Sequence, residues 1–152
     1  HGISVGVGIA FGNKISQTKQ KTFIIVGDGE LNEGSCWEAI QFAGHHALSN
    51  ICMIVDKNNF QAMDKTSNII NQQNLATQIE AFNFNVAEVD GHNEDALDNA
   101  INDLFSLQNN KPSCIVANTI KGKGVSFMEN KNDWHYLRLD KSSYEQALLE
   151  LE

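Results

Sequence analysis

Four short runs of apolar, mostly β-branched residues punctuate the chain: Thr22–Val26, Ile51–Val55, Phe84–Val89 and Ser113–Ala117. Each is closer to continuous than to alternating, as expected for strands buried on both faces of a parallel sheet. Between them the apolar residues return at helical spacing. Trp37, Ile40, Gly44, Ala47 and Leu48 share one face. Ala96, Leu97, Ala100, Ile101, Leu104 and Phe105 share another, with Asn93 placed as its N-cap. Ile3 to about Gln17 reads as an opening helix, and Tyr144, Ala147, Leu148 and Leu151 as a closing amphipathic one. One helix followed by repeated β-α units, joined by right-handed crossovers, predicts an α/β domain. The expected architecture is a doubly wound, mainly parallel sheet with helices on both faces. Two stretches break the periodicity, Asn58–Asn74 and one beginning at Lys121. Loops of that length in a compact domain are more often functional than idle.

Composition narrows the function classes. Lys and Arg total 11 against 19 Asp and Glu, a net charge of −8. That disfavours nucleic acid or an anionic membrane as partner. A phosphorylated ligand stays open, because a local cation and backbone N–H groups outweigh a diffuse acidic surface. No apolar run approaches the roughly 20 residues of a membrane span. The chain opens on HGISVGVGIAFG, without the charged lead-in of a signal peptide. Cys36, Cys52 and Cys114 are widely spaced and form no CxxC pair. They read as reduced thiols, which predicts a cytoplasmic protein.

The candidate chemistry lies where the first two strands end. Thr22–Val26 runs directly into Gly27-Asp28-Gly29, and Ile51–Val55 into Asp56-Lys57-Asn58-Asn59-Phe60. Two glycines around an acid let the backbone approach a ligand while a carboxylate points at it. A helix after the glycines would offer free N–H groups to phosphate oxygens. A carboxylate repels a diphosphate unless a divalent cation lies between them, and Mg²⁺ takes a few protein oxygens plus phosphate and water. Adjacent parallel strands carry Asp28 and Asn58 to the same edge, so both can face one cation. Either motif alone also makes an ordinary turn; together they point to a cation–diphosphate site.

These residues carry a family resemblance. Gly27-Asp28-Gly29 followed by Asn58-Asn59 matches the thiamine diphosphate signature, and the GELNEG, WEA and AGHH between them resemble transketolases almost position for position. HGISVGVGIA resembles the helix after that family's GxLGxG loop. IKGKGVSFMENKNDWH resembles the end of its diphosphate domain, particularly in two-subunit transketolases. The resemblance implies a diphosphate- and Mg-binding domain over residues 1–135, truncated at its N-terminal side. Residues 136–152 would be a C-terminal helix or linker toward an absent pyrimidine-binding domain. It implies Asp28 and the Asn58 side chain as ligands of Mg²⁺ (or Ca²⁺), with the Phe60 carbonyl as a third. Gly27 and Gly29 would let the backbone approach the diphosphate of the coenzyme. Glu33 matches an interface glutamate in a proton network between active sites; a first-turn Glu favoured by the helix dipole is the plainer alternative. His135 matches a histidine lining the channel near the reactive thiazolium carbon. His1 falls at a polar position beside the diphosphate, and Lys121, in the KGKG turn, is placed to steer phosphate. Two departures stand out: Trp134-His135-Tyr136 where WHG is usual, and Asp64-Lys65 where Asp-Gly is usual. Of the other histidines, one of His45 and His46 is expected to pack and the other to be solvated, while His92 fits a turn before a helix cap.

The implied activity is ketol transfer from a ketose phosphate to an aldose, with thiamine diphosphate and Mg²⁺. The coenzyme's activating glutamate belongs, in this family, to a pyrimidine-binding domain or subunit. The expected partners are therefore that domain and sugar phosphates, in a homodimer or heterotetramer. Deoxyxylulose-phosphate synthase and the α subunit of a 2-oxo acid dehydrogenase are related alternatives, which GELNEG, WEA and KGKGVSF disfavour. A non-catalytic cofactor-binding or assembly module is the alternative of a different class. A nicotinamide-binding unit fails, because Gly6-x-Gly8 has no preceding strand and lacks the third glycine.

Overall fold

The computed structural model describes residues 1–152. Helix α1 (Gly2–Ile15) leads into β1 (Thr22–Gly27), a 3₁₀ turn (Asp28–Asn32) and α2 (Gly34–His45). Then come β2 (Ile51–Lys57), the short α3 (Thr66–Ile69) and α4 (Leu75–Glu80), and β3 (Asn85–Asp90). Helix α5 (Glu94–Ser106), β4 (Ser113–Asn118), a second 3₁₀ turn (Asn132–His135) and α6 (Lys141–Leu151) complete the chain. The four strands form one all-parallel sheet in the order β1-β2-β4-β3. The chain steps from β1 to β2 and passes over β4 to β3 with α2 and α4 on one face. It then reverses to β4, and right-handed crossover places α5 on the opposite face.

Alternate strand residues divide accordingly. Ile24, Val26, Met53, Val55, Cys114 and Val116 pack with Ile3, Val7 and Ala10 of α1, Ile40 and Ala43 of α2, and Ile79 of α4. Cys52 and Ile115 face Ala100 and Leu104 of α5. Gly6 belongs to this packing: a Cβ there would lie 2.5 Å from Ile24 Cγ1, so only glycine lets α1 lie this close to β1. On the second face α5 covers β3, β4 and part of β2, and reaches β1 only through the edge contact of Phe105 with Phe23. On β1, Phe23 and Ile25 point to that face and are 50% and 73% exposed.

The predicted strands and helices are all present, with shifted ends. Phe84 is buried just ahead of β3 instead of opening it. Ala47 has a left-handed φ of 49° and lies beyond α2, so Leu48 reaches the core from a turn. Asn93 caps α5, its Oδ1 accepting from the Ala96 N–H at 3.0 Å. In α6 only Ala147 is buried; Tyr144, Leu148 and Leu151 are exposed. Glu150 ties that helix back to the Ser126 hydroxyl at 2.9 Å. The three cysteines are separate, free and buried. No helix is long and apolar enough to cross a membrane.

Candidate active site

All four strands point the same way, so their carboxyl ends line one edge of the sheet, where ligands of open α/β folds bind. The register puts Gly27 of β1 opposite Asp56 of β2, and Asp56 opposite Ala117 of β4. Asp28 and Asn58 leave their strands side by side as a result.

Asp28 is 1% exposed. Its Oδ2 accepts from the Asn59 N–H at 2.7 Å, while its Oδ1 is buried with no partner. Burial pushes its carboxyl up from 3.8 to about 6, against the lowering effect of the Asn59 and Gly29 N–H groups; the nearby Asp56 charge adds to the rise. An unpartnered, buried carboxylate oxygen is costly on its own. It is what a hard cation would satisfy, and the neighbouring donors suit one. Asn58 Oδ1 accepts from the Phe60 N–H at 2.9 Å and keeps a second lone pair, and the Phe60 carbonyl takes no hydrogen bond from the loop. This donor set is one carboxylate, one amide oxygen and one carbonyl, all oxygen, as Mg²⁺ or Ca²⁺ prefers. No group of three or more His, Cys, Asp or Glu side chains converges anywhere.

The glycines behave differently from each other. At Gly27 a Cβ would meet nothing within 4 Å, which leaves the strand end open to a ligand. At Gly29 it would lie 2.5 Å from Gln61 Cβ, so this residue lets the chain's own loop, residues 58–74, close over the turn. A 3₁₀ turn, not a helix, follows Asp28, and α2 begins only at Gly34. Glu33 is the N-cap of α2, exposed and without a side-chain capping bond, so its carboxylate is free to face outward.

A carboxamide network escaped the sequence reading. Gln72 Nε2 donates to the Asp28 carbonyl at 2.7 Å and to Asn32 Oδ1 at 2.8 Å, and Asn32 Nδ2 donates to Gln61 Oε1 at 3.1 Å. These three amides hold the loop against the 3₁₀ turn. The only signal in the sequence was the amide-rich composition of Asn58–Asn74, which names no partner. Together with Asp28, Lys57, Asn59 and Thr66, the loop encloses a polar cavity of about 380 Å³. In the loop, Asp64 accepts from the Lys65 N–H at 2.7 Å and from Asn68 Nδ2 at 2.8 Å, so the Asp-Lys departure is accommodated by a bridge between Phe60 and Lys65.

None of the remaining candidates hydrogen-bonds to Asp28 or Asn58. The His1 ammonium is 3.4 Å from Glu30 Oε1, which places the start of α1 beside the 3₁₀ turn. Lys121 is half-buried in a turn whose Gly122 has φ 75° and would clash with Met128 if it carried a side chain. His135 is exposed, its ring 5.0 Å from that of Tyr136. Its turn is tied to the loop through Asn132 Nδ2, which donates to the Ala62 carbonyl at 3.4 Å. His46 stacks on Phe11 and Phe42, while His45 is exposed. His92 does more than make a turn: its Nε2 accepts from the Ile120 N–H at 2.8 Å.

Over residues 7–149 the chain matches the family described as transketolase, thiamine diphosphate binding domain. The chain belongs to this family. Among transketolases it is 40% identical over 152 residues to one of the subunits of the apulose-4-phosphate transketolase of Actinobacillus succinogenes, covering 99% of this chain and 54% of that one. It is 37% identical over 151 residues to a 6-deoxy-6-sulfo-D-fructose transketolase subunit of a Clostridium strain, again covering 99% of this chain and 54% of the relative. The chain thus spans about half the length of these curated relatives. The transketolase of Campylobacter jejuni superposes with a TM-score of 0.90 at 27% identity, over 99% of this chain and 24% of that one.

Proposed function

We propose that the chain supplies the metal- and diphosphate-binding half of a transketolase active site. The assembled enzyme moves a two-carbon ketol unit from a ketose phosphate to an aldose. The observation that carries this reading is the unpartnered, buried Asp28 carboxylate oxygen next to Asn58, at the carboxyl ends of two adjacent parallel strands. The Asp28 and Asn58 side chains and the Phe60 carbonyl would hold Mg²⁺ (or Ca²⁺), whose charge would offset the repulsion between this acidic centre and the coenzyme's diphosphate. Gly27 leaves room for that diphosphate, and Lys121 and His1 add positive and polar groups at its rim. Thiamine diphosphate, when bound, supplies the carbanion stabilisation on which ketol transfer depends. The chain orients it, keeps its charged end neutralised, and places His135 toward the substrate channel. The Glu33 carboxylate, which makes no capping bond of its own, meets the partner subunit.

The pyrimidine-binding half comes from a second domain or subunit, in a homodimer or heterotetramer; subunit designations among the relatives support a separate polypeptide. The setting is the cytoplasm, consistent with three free buried thiols. The deciding experiment compares Asp28→Ala and Asn58→Ala in thiamine diphosphate titrations with Mg²⁺ and the complementing subunit. The Asp28→Ala change abolishes Mg²⁺-dependent binding, because it removes the one full charge. Asn58→Ala weakens binding by less, since it removes a neutral oxygen. Unchanged affinity in both variants refutes the assignment.

A further inference from the structure

Asp56 is the one acid of β2, half-buried and two residues before Asn58, and both of its carboxylate oxygens are engaged. Oδ2 accepts from Asn58 Nδ2 at 3.2 Å, and Oδ1 accepts from the Thr119 hydroxyl just beyond β4. The consequence concerns Asn58. An amide side chain is nearly two-fold symmetric in shape, so its outermost torsion alone does not decide which of O and N faces a given neighbour. Here the neighbours decide. The Asp56 oxygen accepts, so it takes the Nδ2 end; the Phe60 N–H only donates, so it takes Oδ1. A flipped amide would set oxygen against carboxylate and N–H against N–H. Thr119 in turn fixes the carboxylate, and its own backbone N–H is anchored on the Lys57 carbonyl at 3.1 Å.

We infer that Asp56 is a positioning residue for the cation site: it selects, through Asn58 Nδ2, the amide orientation that presents Asn58 Oδ1 to the metal. This rests on the reading of Asn58 as a cation ligand. It extends the site to a strand, β4, that contributes no ligand. Partners of this kind are worth about 10- to 100-fold in metal affinity. A rival account exists, because the Asp56 charge also acts directly on Asp28. The two accounts differ in whether the effect passes through Asn58.

The test is a double-mutant cycle in the full chain with its complementing subunit, reading the Mg²⁺ dependence of thiamine diphosphate binding. Asp56→Ala raises the Mg²⁺ dissociation constant about tenfold or more. On an Asn58→Ala background the same substitution adds less than about twofold, because the group it acts through is gone. Asp56→Asn costs less than about threefold, since its oxygen can take Asn58 Nδ2 and its amide can donate to Thr119. A full loss on the Asn58→Ala background, or an Asp56→Asn defect as large as that of Asp56→Ala, overturns the inference in favour of a charge effect. Thr119→Val, which frees the carboxylate without touching it, weakens Mg²⁺ binding in the same direction and serves if Asp56→Ala fails to fold. NMR of the metal-free chain gives a readout independent of binding. The Asn58 side-chain NH₂ protons are protected from exchange in the parent and become free in Asp56→Ala; unchanged protons overturn the inference. A parent that binds no Mg²⁺ would refute the proposed function instead, and the NH₂ readout would still decide the positioning role.

Discussion

Asp28 sets the stability of the chain against its use. Its carboxyl, ordinarily near 3.8, is pushed up to about 6, mainly by burial. The folded chain therefore binds this proton more tightly than the unfolded one. Between those two pH values folding takes up a proton, so the contribution is fully present below about 3.8 and lost as pH rises through about 6. Each tenfold change in proton affinity is about 1.4 kcal/mol, so ionising Asp28 without a cation costs the fold about 3 kcal/mol. Asp28→Asn keeps the shape and the bond from the Asn59 N–H but does not titrate. Its unpaired NH₂ is a pH-independent penalty of about 1–3 kcal/mol. The expected result in EDTA is that the stability of Asp28→Asn relative to the parent improves by about 3 kcal/mol from about pH 3.5 to about pH 7. Urea unfolding followed by tryptophan fluorescence and far-UV circular dichroism measures both, and subtraction removes every other titrating group. With Mg²⁺ and thiamine diphosphate at neutral pH the order reverses, since only the parent gains ligand stabilisation. A relative stability that stays flat across the range refutes the claim that Asp28 is buried as an uncompensated charge.

Two further outcomes follow from packing and from the rim of the site. Gly44→Ala would bring a Cβ to 1.8 Å from the Phe82 carbonyl oxygen, a backbone atom that cannot swing aside. Parting α2 from the end of α4 costs more than about 3 kcal/mol in urea unfolding. Gly8→Ala, with nothing within 4 Å, stabilises the chain by about 0.5–1 kcal/mol; equal effects at the two positions refute the packing argument. His135→Ala lowers the turnover of the assembled enzyme about tenfold or more while leaving coenzyme affinity within about twofold. Full activity would return His135 to an exposed loop residue.

The fold was legible because its signals are local. Continuous runs such as Ile51–Val55 and spaced faces such as Ala96–Phe105 report burial directly, and Asn93 reports its own cap. The pairing of Asp28 with Asn58 was legible too, because parallel strands of known polarity bring their ends together. Hidden were the contacts that depend on how loops close. Gly29 reads as a ligand-approach glycine, and that reading does not reveal that its missing Cβ also makes room for Gln61. Gln72 reaches the Asp28 carbonyl across 44 positions, and nothing in its neighbourhood specifies a partner so distant. The 3₁₀ turn ahead of α2 was also hidden, since the five residues Asp28–Asn32 are too few to display a periodicity of their own.

The strand that carries Asp28 is held by the sheet on one side only. Among the four strands described, β1 pairs with β2 alone; of its outward residues, Phe23 meets the Phe105 ring edge-on and Ile25 is 73% exposed. Local opening is cheapest where cover is thinnest. Fraying of β1 therefore dismantles the proposed cation site, because Gly27 and Asp28 move with the strand end. A ligand held at the proposed site stabilises β1 by linkage, slowing amide exchange from Gly27 at the site back along the strand to Thr22. Ligand binding at the proposed site and the ordering of this outer strand are therefore coupled.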